Sequence, residues 1–264
     1  MTVKIHSTAI VSEKAEIGNN VDIGPFCIIG DNVKISDNCS FKSHVVVEGH
    51  TSIAENNKFY QFCSIGADPQ DSTYKGESTR VEIGDNNTFR EYISIHKGTM
   101  KDNQLTKIGD NNLFMAYVHV GHDVQFGSNC VIANACGFAG HAKIADKVIL
   151  GGGCLISQFL SLGQGAYLGG GSVIANDVPP FCTGFGNRVK IKGVNIVGLR
   201  RQGHSKETIS EFVDFFRQIE SSTYSPKAFI KHFDEIDSYY KNGLVKSFVD
   251  FIRQSEMGIA PYWS

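Results

Sequence analysis

VSEKAEIGNNVDIGPFCIIGDNVKI, residues Val11 to Ile35, puts an aliphatic side chain at every sixth position: Val11, Ile17, Ile23, Ile29 and Ile35. The same frame continues through Phe41, Val47, Ile53, Phe59 and Ile65, and Ile5 extends it backwards. Ile83, Phe89 and Ile95 keep it after a break. From Ile108 a frame displaced by one residue runs through Phe114, Val120, Phe126, Ile132, Phe138, Ile144, Leu150, Ile156, Leu162, Leu168 and Ile174. A period of six is a multiple of the strand period of two and does not match 3.6, so this region is strand and not helix. Turn signals such as IGNN, IGDN and LGGG follow the aliphatic residue, where each short strand should end and the chain should corner. A hexapeptide period predicts a parallel β-helix in which the aliphatics stack in interior ladders. Three hexads per triangular coil give roughly nine coils, each rising the ~4.8 Å of an inter-strand spacing.

Two stretches break the pattern. Residues 67–82 (ADPQDSTYKGESTRVE) and 98–107 (GTMKDNQLTK) are polar and turn-rich, and they predict loops ejected from the prism, where solenoids carry binding function. The repeat should stop at Asp177-Val178-Pro179-Pro180, because two prolines remove two donors from any further ladder. Beyond a Gly-, Arg- and Lys-bearing connector, Ser205 is a plausible N-cap for SKETISEFVDFFRQIE, with a helical apolar stripe at Ile209, Phe212, Val213, Phe216 and Ile219. SPKAFIKHFDEI and LVKSFVDFIRQ read as two further helices. The expected organisation is a mainly β chain: a hexapeptide prism over residues 1–186 and a connector with a helical domain over residues 187–264 that covers the open strand edge.

Composition narrows the function. A formal charge of −2 with no long run of one sign argues against nucleic acid or an anionic membrane as partner. No apolar stretch approaches the ~20 residues of a membrane span, and the N-terminal MTVKIHSTAIVSEKAEIG has no signal-peptide core, so a cytoplasmic location is expected. Six of the seven cysteines (27, 39, 63, 130, 136 and 154) fall four residues after a repeat aliphatic, a slot for small side chains, which reads as structural thiols.

The chemistry should lie in VHVGHD, Val118 to Asp123. Winding the chain in three-hexad coils puts Val120 above Ile95 and Phe138 above Val120. His96 then stacks on Gly121, Gly140 on His122, and His141 on Asp123, with His119 on the preceding flank. Histidines distant in sequence thus converge on one corner beside both loops. Such a cluster can bind a metal, or supply a general base with neighbours that hold phosphate or hydroxyl groups.

Several motifs resemble those of the UDP-N-acetylglucosamine O-acyltransferases, the hexapeptide-repeat enzymes that begin lipid A synthesis: SIHKGT (94–99), HVGHD (119–123), FAGHAKI (138–144), SQF (157–159), NDVPPF (176–181) and GVNIVGLRR (193–201). The resemblance covers essentially the full length. It implies a left-handed β-helix assembled as a homotrimer, with active sites between subunits. The implied reaction moves an (R)-3-hydroxyacyl chain from acyl carrier protein, which brings its own 4'-phosphopantetheine arm, to the 3-hydroxyl of UDP-N-acetylglucosamine, without a further cofactor or metal. By motif position His122 resembles the general base, Asp123 its orienting carboxylate, and the Gly140 N–H an oxyanion donor. Gln70, Asp71, His96, His119, His141 and Gln158 resemble sugar and phosphate contacts, and Asn195 and Arg201 nucleotide contacts. Arg200, Arg201 and Arg217 form an expected basic patch for the carrier. Gly170 falls where the family sets acyl length, with Tyr167 able to narrow the groove.

The chain departs from the family pattern at Thr73, Ser157, Val197 and Gln202, which leaves a 3-amino UDP-sugar as an alternative acceptor. A zinc hydratase of the γ-carbonic-anhydrase kind is the rival from another class, but His119 and His122 are spaced too closely for its paired ligands. A non-enzymatic scaffold would leave the converging histidines unexplained. The later N-acyltransferase of the same pathway usually has an N-terminal uridine-binding domain, whereas this chain enters its repeat at Ile5.

Overall fold

Three ladders of short parallel strands, one per face, stack into a triangular prism. The computed structural model describes residues 3–233 and 236–263. Among these, the first sheet has 11 strands, the second 9 and the third 8. Lys4 pairs with Asp22 and Asp22 with Ser40, so one coil is 18 residues in the regular stretches. Each corner must turn within a few residues, and many corners do so with a residue in the left-handed backbone region. At one corner that residue is Asn20, Asn38, Asn56, Asn86, Asn111 and Asn129 in turn, which accounts for the IGNN and IGDN signals. Asparagine tolerates this conformation better than other residues with a side chain.

The repeat aliphatics point inward as expected: Ile23, Ile29, Ile35, Val47, Ile53, Ile65, Val120 and Ile156 are all buried. Phe41, Phe59, Phe89 and Phe114 stack face to face up the first sheet at centroid spacings of 4.8, 4.7 and 5.2 Å. Offset aromatic pairs of this kind contribute about 0.5–1.5 kcal/mol each beyond their burial. A second interior ladder is polar. Asn57, Asn87 and Asn112 are buried, and each accepts the backbone N–H of its counterpart one coil later. All seven cysteines are buried and unpaired. Those of the repeat slot donate Sγ–H to a carbonyl on the next coil, fifteen residues on from Cys130 to Ala145 and from Cys154 to Gly169, and 27 residues on from Cys63 to Arg90 across the first insertion.

The chain leaves the second sheet after Ala67 and after His96, and strands resume at Arg80 and Leu105, before residues 82 and 107. Arg80-Val81-Glu82-Ile83 pairs residue by residue with Leu105-Thr106-Lys107-Ile108, and the buried Val81 and Thr106 extend the inward pattern by one step. The ladder also passes the double proline. Cys182–Phe185 joins the first sheet beside Tyr167 and is closed by an antiparallel strand, Lys190–Val194.

Helix α1 (Ile196–Arg201) lies in the stretch read from sequence as connector, and it is too short for an apolar stripe to reveal. Helix α2 (Lys206–Ser221) starts at the expected cap, with Ser205 Oγ accepting from Thr208 N. Of the helix expected over 225–236, α3 (Pro226–His232) forms its start and α4 (Ile236–Tyr239) follows; Asp234 and Glu235 lie outside the described residues. Helix α5 (Gly243–Gln254) packs Phe248 against Phe212, Phe215 and Phe216 of α2. The tail is tied to the prism through buried Asp177, whose carboxylate accepts from Ser161 N at 2.7 Å and Ser255 Oγ at 2.6 Å. Among the described residues, no helix is long and apolar enough to cross a membrane.

Asn87→Ala should be costly, because it leaves the carbonyl of Gly109 and the N–H of Asn112 without partners, while the Gly84 carbonyl keeps the Asn57 amide. At ~1–3 kcal/mol per unsatisfied group, chemical denaturation should show a loss of about 2 kcal/mol or more. A loss below about 1 kcal/mol would mean that the asparagine ladder is incidental to stability.

Candidate functional site

The register brings the histidines together. Ile95 pairs with Val120 and Val120 with Phe138, so the residues that follow each of them share one corner of successive coils. His96 and His119 meet edge to face at 5.3 Å, and His122 and His141 at 5.1 Å. His96, His119 and His122 border a cleft of about 610 Å³ along the second sheet, whose walls include Gln70, Gly121, Gly140, Leu155, Gln158 and Val173.

His122 and Asp123 form its chemical centre. His122 Nδ1 lies 2.9 Å from Asp123 Oδ2, so the hydrogen sits on Nδ1 and the Nε2 lone pair is free to take a proton. Asp123 is 1% exposed, so its carboxylate has left water and depends on donors. It has them in Thr99 N, 2.9 and 3.0 Å from its two oxygens, and Thr99 Oγ1, 2.6 Å from Oδ2. Burial alone would raise this carboxyl's pKa; the bonds from His122 and Thr99 outweigh it and hold the group below the ordinary carboxylate value. Asp123 and His141 are themselves corner residues with positive φ, 59° and 63°, at a position where a side chain costs about 1 kcal/mol or more.

Gly140 packs against the His122 ring from the next coil. A Cβ there would fall 2.4 Å from Cε1 and 2.7 Å from Nε2, so only glycine lets the imidazole occupy this place. Main-chain hydrogen bonds leave from Ala139 and His141 on either side of it.

The surrounding histidines are held in turn. His119 Nδ1 bonds Ser94 Oγ at 2.8 Å. Burial pushes its pKa below the ordinary histidine value, and His96 and His122 push the same way, so it is held neutral. His96 Nδ1 is tied to the carbonyl of Asp68 in the first loop. His141 stacks on Phe159 at 4.5 Å and bonds Asp102 of the second loop at 3.2 Å. Asp71 accepts from Thr73 N and Oγ1, and from Lys101 Nζ at 2.6 Å. Lys101, ahead of Thr73, holds its carboxyl well below the usual range.

Residues expected elsewhere in the site stand off this cleft. Asn195 caps α1, accepting from Gly198 N at 2.9 Å and donating to Gly165 O at 2.9 Å. Arg200 and Arg201 are exposed in the last turn of α1, and Arg217 is exposed on α2. Tyr167 and Gly170 are exposed at the upper end of the first sheet, where a Cβ on Gly170 would come 3.1 Å from Gly152 O. Sequence reading missed Ser94, Thr99, Lys101 and Asp102. Ser94 and Thr99 were visible in the SIHKGT motif, but nothing in the pattern showed that the second loop folds back over the corner.

Donor atoms of His122, Asp123 and His141 lie within 4.8 Å of one another, close enough to be weighed as a metal site. His141 Nε2 stands 3.9 Å from Asp123 Oδ2, longer than the roughly 3.4 Å edge implied by ~2.1 Å zinc bonds. The Asp123 oxygens are also already taken by Thr99 and His122. The set fits a hydrogen-bonded histidine and carboxylate better than a metal.

Known proteins resemble the chain over nearly its whole length. The family profile described as Udp N-acetylglucosamine O-acyltransferase, Domain 2, matches residues 177–260, and the bacterial transferase hexapeptide profile matches residues 105–140. The solved structure of LpxA from Acinetobacter baumannii is 42% identical, over 97% of this chain and 99% of that one, with a TM-score of 0.92. The Francisella novicida UDP-N-acetylglucosamine acyltransferase is 37% identical over 97% and 94%, with a TM-score of 0.93. The Arabidopsis UDP-N-acetylglucosamine acyltransferase is 30% identical over 97% and 99%, with a TM-score of 0.85. With its prism and helical tail matched over nearly the full length, this chain belongs to the UDP-N-acetylglucosamine O-acyltransferase family of acyltransferase enzymes.

Proposed function

We propose that this chain transfers an (R)-3-hydroxyacyl group from acyl carrier protein to the 3-hydroxyl of UDP-N-acetylglucosamine, the first step of lipid A synthesis, with His122 as general base. The observation that carries the reading is the His122–Asp123 pair seated on Gly140 at the floor of the cleft. A sugar hydroxyl is a poor nucleophile until it loses its proton. His122 Nε2 takes that proton as the sugar oxygen bonds to the thioester carbonyl carbon, and Asp123 stabilises the imidazolium through Nδ1–H. The carbonyl oxygen becomes an oxyanion, to which the Gly140 N–H donates. Collapse of the intermediate breaks the carbon–sulfur bond. The departing phosphopantetheine thiolate recovers the proton from His122, leaving acylated sugar, free carrier thiol and the starting enzyme.

Gln70, His96, His119 and Gln158 line the same cleft as contacts for the sugar and its phosphates, with Asp71 and His141 held just behind them. Leu155 and Val173 continue the wall away from His122 and suit a hydrocarbon chain. Asn195, Arg201, Tyr167 and Gly170 act, on this reading, from a neighbouring copy across the cleft of a homotrimer. Arg200, Arg201 and Arg217 meet the acidic carrier there.

Purified protein incubated with UDP-N-acetylglucosamine and a series of (R)-3-hydroxyacyl carrier proteins should give a UDP-sugar heavier by one acyl group. A product bearing the acyl group only when a 3-amino UDP-sugar is supplied would overturn the choice of acceptor. His122→Ala should keep its oligomeric state and melting temperature but lose turnover by at least ~10²-fold, the usual general-base contribution. Near-normal turnover in that variant would sink the assignment. Gly140→Ala should also lose at least about 10-fold in kcat, because its methyl group displaces the His122 ring by itself. An unchanged kcat would show that the ring's position is not critical.

A further inference from the structure

The second loop crosses the catalytic corner in direct contact with Asp123. Gly98 makes the crossing possible: a Cβ there would lie 2.2 Å from Leu105 N and 2.8 Å from Asp123 Oδ1. The next residue, Thr99, is 4% exposed and turns both its donors onto the Asp123 carboxylate. Thr106, where the loop rejoins the prism, accepts the backbone N–H of Asp123 at 2.8 Å and is itself buried. The two ends of the loop therefore grip Asp123 from the side-chain end and the main-chain end. Thr99 lines no part of the cleft.

We propose that Thr99 is a positioning residue for the transfer reaction: its hydroxyl and N–H fix the Asp123 carboxylate so that Oδ2 meets His122 Nδ1. This rests on the reading of His122 as general base. A carboxylate on one carbon–carbon bond can rotate, and a buried one turns toward whichever donors it finds. Around Asp123 there are three partners: Thr99, His122 and, at 3.9 Å, His141 Nε2. Without the 2.6 Å bond from Thr99 Oγ1, only the Thr99 N–H holds Oδ2 against a swing toward His141, which would take from His122 the partner that sets its tautomer and ring angle. The hydroxyl thus acts on the reacting atoms only through Asp123 and His122.

The test uses Thr99→Val and the smaller Thr99→Ala, which remove the hydroxyl, and Thr99→Ser, which keeps it. Each is assayed for kcat and for KM toward UDP-N-acetylglucosamine, alone and combined with Asp123→Asn. Either hydroxyl-free variant should lose about 10-fold to 100-fold in kcat, the range of one hydrogen bond to a charged group, with KM changed less than about twofold. Thr99→Ser should stay within about threefold of the parent, and adding Thr99→Val or Thr99→Ala to Asp123→Asn should cost little more than Asp123→Asn alone. The proposal is overturned if kcat stays within twofold in both hydroxyl-free variants, if Thr99→Ser is as slow as they are, or if their losses multiply undiminished on the Asp123→Asn background. His122→Ala, run alongside, separates the two ideas. Normal turnover there removes the base assignment itself, whereas an inactive His122→Ala with multiplying losses removes only the role of Thr99.

Discussion

The regular coils are held by main-chain hydrogen bonds from the N–H of one residue to the carbonyl seventeen positions later, as from Lys4 to Val21, Asp22 to Cys39 and Gly121 to Phe138, and the coils that carry the insertions make the same bonds at offsets of 29 and 24, as from Lys58 to Asn87 and Thr88 to Asn112. The register those bonds keep is the constraint on which the rest of the molecule depends. A slip of one residue would turn every inward side chain outward, so the aliphatic, aromatic and asparagine ladders all enforce the same register. Once it holds, residues far apart in sequence share a corner without any evolved contact between them. His96, His122 and His141 meet for this reason.

The same regularity decides what could be read from sequence. Interior positions, corner asparagines and the stacking of Gly140 on His122 follow from counting, because backbone geometry repeats and side chains inherit it. Helices α2 and α5 were legible from a cap and a 3.6-residue stripe. What counting cannot reach is any contact made by chain outside the repeat. The coil between Lys58 and Thr88 spans 30 residues, and the one between Thr88 and Leu113 spans 25, where 18 is the rule. No ladder dictates the conformation of the extra residues, so the bonds of Thr99 to Asp123, Lys101 to Asp71 and Asp102 to His141 were not visible beforehand. Helix α1 escaped for a different reason. Its six residues carry too little periodicity to distinguish from a turn.

A prism of this kind is rigid and repetitive, which makes it a good scaffold and a poor source of asymmetry. Its corners are nearly alike, and the asparagine corner has the same geometry as the histidine corner without the chemistry. The difference comes from the two insertions on successive coils, which leave the same edge and close on each other. Lys97 bonds Asp68 at 2.8 Å, and Lys101 reaches Asp71. Each pair sets one largely buried partner against one exposed partner, and together they hold two loops against one corner and wall off one cleft.

Closing that corner changes the electrostatics of everything inside it. Asp123 is buried, yet its carboxyl is held below the ordinary value, so its donors must more than offset the loss of water. The same burial pushes His119 toward its neutral form. A corner in open solvent would offer a flexible carboxylate and hydrated imidazoles, each weakly coupled to the next. Covered by the second loop, it offers one fixed carboxylate beside one imidazole with a free Nε2 facing the cleft, at the expense of left-handed backbone at Asp123 and His141. The insertions therefore supply what the repeat cannot: a preorganised charge next to a proton acceptor, placed on a framework whose register already fixes their separation.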